Sequence, residues 1–121
     1  MFSHIMVGAN DVGASKQFYD AVLGALGVKS GTIDPQGRAV YATKSGVFMI
    51  TKPIDGKPAH GANGGTIGFK AGSTKEIDSW HAAGIANYGS TCEEPPGLRG
   101  EYYLAYLRDP SGNKLCALMR V

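Results

Sequence analysis

Several things that would quickly assign a role are scarce in this chain. It has only two cysteines, Cys92 and Cys116. That is too few for the disulfide framework of a small secreted scaffold, so free thiols in a reducing cytosol are expected. No stretch approaches the ~20 apolar residues of a membrane span. Met1 to Ala9 carries no basic leader, so neither export nor membrane insertion is expected, and the cytoplasm is the expected location. Net charge is only +2, with Lys and Arg scattered, which removes the basic footprint of a nucleic-acid binder.

What is abundant is glycine, 18 residues of 121, which suits many tight turns between short strands. The length fits one domain able to bury a core. Charged residues at 18% and aromatics at 9% suit a globular chain rather than a disordered one.

The most informative stretch is Gly100 to Val121, GEYYLAYLRDPSGNKLCALMRV. Two strand-like runs, Glu101 to Arg108 and Lys114 to Val121, flank Asp109-Pro110-Ser111-Gly112-Asn113, which predicts a hairpin. Asp109 to Gly112 is turn chemistry rather than a catalytic acid. Earlier in the chain, Phe2 to Ala9 alternates as a half-buried strand. Asn10 or Asp11 caps a helix whose apolar stripe is Val12, Tyr19, Val22, Leu23 and Leu26, with Gly27 as its stop. Strands follow at Val28 to Ile33, Arg38 to Thr43 and Val47 to Lys52. Pro53 to Gly65 is rich in glycine and proline and reads as a linker. Thr66 to Ala71 is a strand. Ser73 and Glu76 form a capping box for a second helix, with Ile77, Trp80, His81 and Ala83 on its apolar side and Gly84 as its end. Ala86 to Thr91 is a weak strand and Cys92 to Gly100 a loop. The same order of elements therefore occurs twice, and Phe18-Tyr19 falls where Trp80-His81 falls in the second unit.

Alternation divides the strands into two faces. Ile5, Val7, Phe48, Ile50, Ile67, Phe69, Leu115, Ala117 and Met119 form an apolar set that should pack under the helices. His4, Met6, Met49, Thr51, Thr66, Lys70, Cys116 and Leu118 form the opposite, mixed set.

The stretch YLRDPSGNKLCAL resembles the closing hairpin of the glyoxalase/bleomycin-resistance/dioxygenase group, the vicinal oxygen chelate superfamily. The resemblance implies an α+β fold of two βαβββ modules, residues 1–53 and 65–121 joined by a 54–64 linker. It also implies a curved mixed sheet with a concave pocket and helices on the outer face. Family enzymes hold a divalent metal with four ligands, usually His, Glu or Gln. By resemblance those positions are His4, Met49, Thr66 and Cys116 here, with Ile50 replacing Met49 if the register slips. Only His4 keeps a strong donor for hard ions, so neither a bound metal nor another cofactor is expected.

The pocket-lining candidates are His4, Met6, Met49, Thr51, Thr66, Cys116, Leu118 and Arg99. His4 is either a cavity residue or a core histidine. Cys116 is either a small buried hydrophobe or a thiol nucleophile with His4 as its base. Arg99 is either a contact for an anionic ligand or solvated. His60 sits in the linker, and His81 packs on its helix. Tyr102, Tyr103 and Tyr106 read as strand aromatics, some of which could line a pocket. The expected function is small-molecule binding in the concave cleft by a homodimer. The alternative is a glyoxalase-like lyase or isomerase, related to lactoylglutathione lyase, using a divalent metal on a small carbonyl or thioester-forming substrate.

Overall fold

The computed structural model describes residues 1–121. The first sheet is built from β1 (His4–Gly8), β2 (Thr32–Ile33), β3 (Ala39–Thr43) and β4 (Gly46–Thr51), in the order β1-β4-β3-β2. The second contains β5 (Ile67–Lys70), β6 (Ser90–Thr91), β7 (Gly97–Arg99), β8 (Tyr102–Arg108) and β9 (Lys114–Arg120). Its order is β5-β9-β8-β6, with β7 also paired to β8. The outer pairs β1–β4 and β5–β9 are parallel, and the remaining pairs antiparallel. β1 and β5 are sheet edges and are not bonded to each other, so each half forms its own mixed sheet within the expected α+β fold.

Helix α1 (Val12–Ala25) begins at Asp11, whose Oδ1 accepts from the Ala14 amide at 3.0 Å. Helix α2 (Thr74–Ala86) begins at Ser73, whose Oγ accepts from the Glu76 amide at 3.1 Å. The Glu76 carboxylate reaches back to the Gly72 amide, one residue earlier than the capping box predicts. Each helix rests on strands, and the two also pack along each other. No helix is long and apolar enough to cross a membrane.

The core is one cluster in which Tyr19, Tyr41, Phe48, Ile50, Trp80, Leu107 and Leu115 are buried. Every residue of the predicted helix-facing set lies in that cluster or packs against it. Contacts that fix the sheets to each other include an aromatic pair and a side-chain hydrogen bond. Phe48 meets Phe69 edge to face at 5.4 Å between ring centroids. Asn113 in the β8–β9 turn donates from Nδ2 to the Gly8 carbonyl at 2.9 Å.

Four local expectations are corrected. Gly84 does not end α2, which runs on to Ala86 and is capped at Asn87. A Cβ at Gly84 would lie 2.3 Å from Leu107 Cδ1, so this glycine serves close packing of α2 on β8. Residues 28–31 are not strand: the Val28 amide bonds the Leu23 carbonyl and the Gly31 amide bonds Asp20, leaving only Thr32 and Ile33 to pair. Ala86 to Thr91 shrinks to Ser90–Thr91, because Tyr88 turns through φ 70° and the Gly89 amide returns to the Gly84 carbonyl. The loop after Cys92 contains the strand β7.

Candidate functional site

The face of each sheet turned away from the helices carries the candidate residues. In the first sheet His4 stands opposite Val47, and Met6 opposite Met49, so His4 and Met49 are two rungs apart. In the second, Ile67 stands opposite Leu115 and Gly68 opposite Cys116. Thr66, just before β5, therefore continues to the level of Lys114, two positions from Cys116. The two half-sites repeat one geometry.

The individual surroundings differ. His4 is exposed, its Nδ1 hydrogen-bonded with Ser3 Oγ at 2.9 Å, which removes the core-histidine reading. Met6 is 39% exposed. Met49 and Leu118 are half-buried. Thr51 donates from its hydroxyl to the Lys52 carbonyl at 3.2 Å. Cys116 is buried and free, as Cys92 is free. Burial pushes the Cys116 thiol pKa up, against the opposing pull of Arg99 and Lys114. His60 is exposed in the linker, with Nδ1 near the Gly61 carbonyl at 3.3 Å. His81 is half-buried on α2 and shares a hydrogen bond with Thr91 Oγ1 at 3.3 Å. Burial lowers its pKa.

A cleft of about 1170 Å³ opens between the sheets. Ile5, Leu23, Phe48 and Phe69 are among its apolar lining, and Lys44 and Lys70 also border it. Of the eight pocket-lining candidates only His4 lies on it. Thr66 lines a separate polar recess of about 480 Å³ with the glycine-rich segment 61–65, Arg108 and Lys114.

Arg99 belongs to a third group. Its guanidinium carbon lies 5.8 Å from the centre of the Tyr106 ring, and Lys114 Nζ lies 4.8 Å from the same centre. Tyr106 faces Cys116 across β8 and β9. Arg99 donates from Nε to Glu94 Oε2 at 2.9 Å and from Nη2 to the Pro95 carbonyl at 3.0 Å. Lys114 pairs with Glu93. Sequence reasoning had Arg99 but missed Lys114, Glu93 and Glu94 as its companions. The one available signal was alternation, which puts Lys114 and Cys116 on one face.

The metal positions that the resemblance implied hold His4, Met49, Thr66 and Cys116. Nowhere do three His, Cys, Asp or Glu side chains gather. One imidazole, one thioether, one hydroxyl and a buried thiol do not fit a hard divalent ion.

The sequence profile of the Glyoxalase/Bleomycin resistance protein/Dioxygenase superfamily matches residues 1–117. Among solved structures, a glyoxalase/bleomycin resistance protein from Albidiferax ferrireducens T118 is 58% identical with a TM-score of 0.96, over 100% of this chain and 99% of that one. A family enzyme from Burkholderia phytofirmans PsJN is 16% identical with a TM-score of 0.76, over 98% of each chain. Lactoylglutathione lyase from Agrobacterium tumefaciens is 23% identical with a TM-score of 0.68, over 98% of this chain and 92% of that one. At these last two identities the likeness shows the fold alone. No curated protein matches the chain.

Proposed function

The chain belongs to the Glyoxalase/Bleomycin resistance protein/Dioxygenase superfamily, and from that premise we propose that it binds a small molecule on the open faces of its sheets without running metal-dependent glyoxalase chemistry. The observation that carries this reading is the donor set. A glyoxalase-type reaction needs a divalent ion to polarise a carbonyl and a carboxylate to move a proton. His4 is the one strong hard-ion donor among the four positions, and no carboxylate stands at any of them. A divalent ion there would meet too little negative charge to offset its lost hydration.

The test is metal analysis of purified protein together with isomerisation of the hemithioacetal of methylglyoxal and glutathione. Well under one equivalent of Ni, Mn, Mg, Fe or Zn per subunit and no measurable turnover are expected. A full equivalent lost on His4→Ala, with turnover, would establish the lyase or isomerase reading instead.

We also propose that the protein is a cytoplasmic homodimer. The outer edges of β1 and β5 are unpaired. Met1, Phe2 and Met6 are exposed beside β1 or on it. Isologous dimers are the commonest way to cover such a surface. Sedimentation should give twice 12.7 kDa, and only monomer at high micromolar concentration would refute it.

A further inference from the structure

We propose that Arg99 and Lys114, set around the Tyr106 ring, form a site for a small aromatic carboxylate, and that Glu93 and Glu94 close that site until such a ligand displaces them. The inference rests on the reading that a small molecule binds on the open faces, and it names the class of molecule.

Two cations lie over the Tyr106 ring, at 5.8 and 4.8 Å from its centre, Arg99 from β7 along one edge of β8 and Lys114 from β9 along the other. Each is answered by a carboxylate from the neighbouring segment 93–94, so the cluster is neutral as it stands. Those carboxylates are held loosely. Glu94 is 77% exposed and Glu93 48% exposed, and ion pairs with such exposed partners contribute little. Glu93 also sits at φ 61°, a left-handed conformation unfavourable for a residue with a side chain.

Arg99 is the other half of the argument. Nε and Nη2 have partners, but Nη1 is shut off from solvent and has none. A buried guanidinium nitrogen without an acceptor is an unmet demand for an oxygen. A ligand carboxylate meets a guanidinium with two parallel bonds, which the present arrangement lacks. Beneath the cations the surface is apolar: Tyr106 stands opposite Cys116, and Leu104 opposite Leu118. A flat aromatic body carrying one carboxylate satisfies both parts, its ring against the apolar surface that Leu104 and Leu118 form, its charge met by the cations beside Tyr106.

The experiment titrates the full chain with benzoate and with benzamide, its neutral counterpart, by calorimetry, and maps both by amide NMR shifts. Benzoate should bind at least tenfold tighter than benzamide and shift amides around Arg99, Tyr106 and Lys114. E93Q/E94Q should tighten benzoate several-fold by removing the internal competitors. Arg99→Gln and Lys114→Gln should each weaken it about tenfold, while Lys75→Gln on α2 changes nothing. The two-probe comparison uses the unmodified chain, so it decides the question even where a variant fails to fold. Equal binding of both probes with shifts near Cys116 and Leu118 would overturn the carboxylate site but leave open-face binding standing. Absence of any open-face shift with either probe would overturn both.

Discussion

Removing the Tyr19 hydroxyl should destabilise the protein by about 2 kcal/mol without disturbing its packing. Tyr19 is fully buried on α1 and donates to Asp109 Oδ2 at 2.6 Å. Asp109 is itself only 4% exposed. Its other carboxylate bonds come from the amides of Ser111 and Asn113 at 2.9 and 3.0 Å, and from Asn113 Nδ2 at 2.8 Å. Because Asn113 Nδ2 also reaches the Gly8 carbonyl, this carboxylate ties α1, β1 and the β8–β9 turn together. Tyr19→Phe deletes one hydrogen bond to a charged acceptor, a contribution of about 1.5–3 kcal/mol. The ring contacts with Phe18 and Phe48 stay. For a domain of this size the loss corresponds to a fall in Tm of roughly 8 °C. Asp109→Asn is worse, about 3 kcal/mol, because an amide NH₂ then faces donors that had an acceptor. The two changes share one bond, so the double variant should fall short of the sum by about 1 kcal/mol or more. Urea unfolding followed by circular dichroism measures all three. A Tyr19→Phe cost under about 0.5 kcal/mol, or strict additivity, would refute the assignment of this bond as an inter-module tie.

Gly84→Ala should destabilise by about 1–2 kcal/mol, because overpacking against buried Leu107 and Phe18 outweighs the gain in helix propensity. Gly24→Ala on α1, where a Cβ meets nothing within 4 Å, should instead stabilise by roughly 0.5–1 kcal/mol, and thermal melts of the pair give the two signs. Burial raises the phenol pKa of Tyr19 and Tyr41, with Asp109 and Asp20 adding to it. The unfolded chain therefore releases these protons first. Their stabilisation is complete below the ordinary tyrosine value of about 10 and falls as pH rises above it, which urea midpoints between pH 8 and 11 would show. In native protein at pH 8 a thiol reagent should modify Cys92 well before Cys116, whose thiol is buried and raised in pKa, and equal rates would contradict the structure.

Much of the fold was legible because period-two alternation is a strong signal when one face is made of Ile, Val, Phe and Leu. The sets headed by Ile5 and Phe48, and by Phe69 and Leu115, were separated from their neighbours by that rule alone, and the core follows the division. Caps at Asp11 and Ser73 were legible because each needs only a local oxygen within reach of the first helical amides. Elements decided by distant partners were not legible. β7 is three residues long and follows two prolines, so it exists only through pairing with β8. Gly84 reads as a helix stop until Leu107 is known to lie against it. Asp109 read as turn chemistry, which its bonds to Ser111 and Asn113 bear out, but its second role depends on Tyr19, far away in sequence. The grouping of Arg99, Tyr106 and Lys114 depends on the register of three strands, and no spacing in the sequence carries it.

The division of labour between the two faces explains how family membership coexists with mostly weak donors at the positions that the resemblance assigns to metal ligands. Contacts that hold the modules together, Phe48 with Phe69 and Tyr19 with Asp109, lie on the helix side or in the turn. The four positions that the resemblance assigns to ligands lie on the opposite side, where His4 and Thr66 are exposed and Met49 is half-buried. Substitution at these three positions removes few core contacts, so the ligands can be exchanged without endangering the fold. Cys116 is different, because it is buried under its own neighbours. A carboxylate there would be desolvated between Tyr106 and Gly68, with Arg99 and Lys114 the cations that act on that position. Those two cations are engaged by Glu93 and Glu94 instead. In the second half-site the carboxylates therefore stand on the segment 93–94 beside the sheet and not on the strand at Cys116. Such an arrangement, two cations on the open face with their carboxylates beside it, is the one that the proposed anion site requires, on a scaffold whose core does not depend on it.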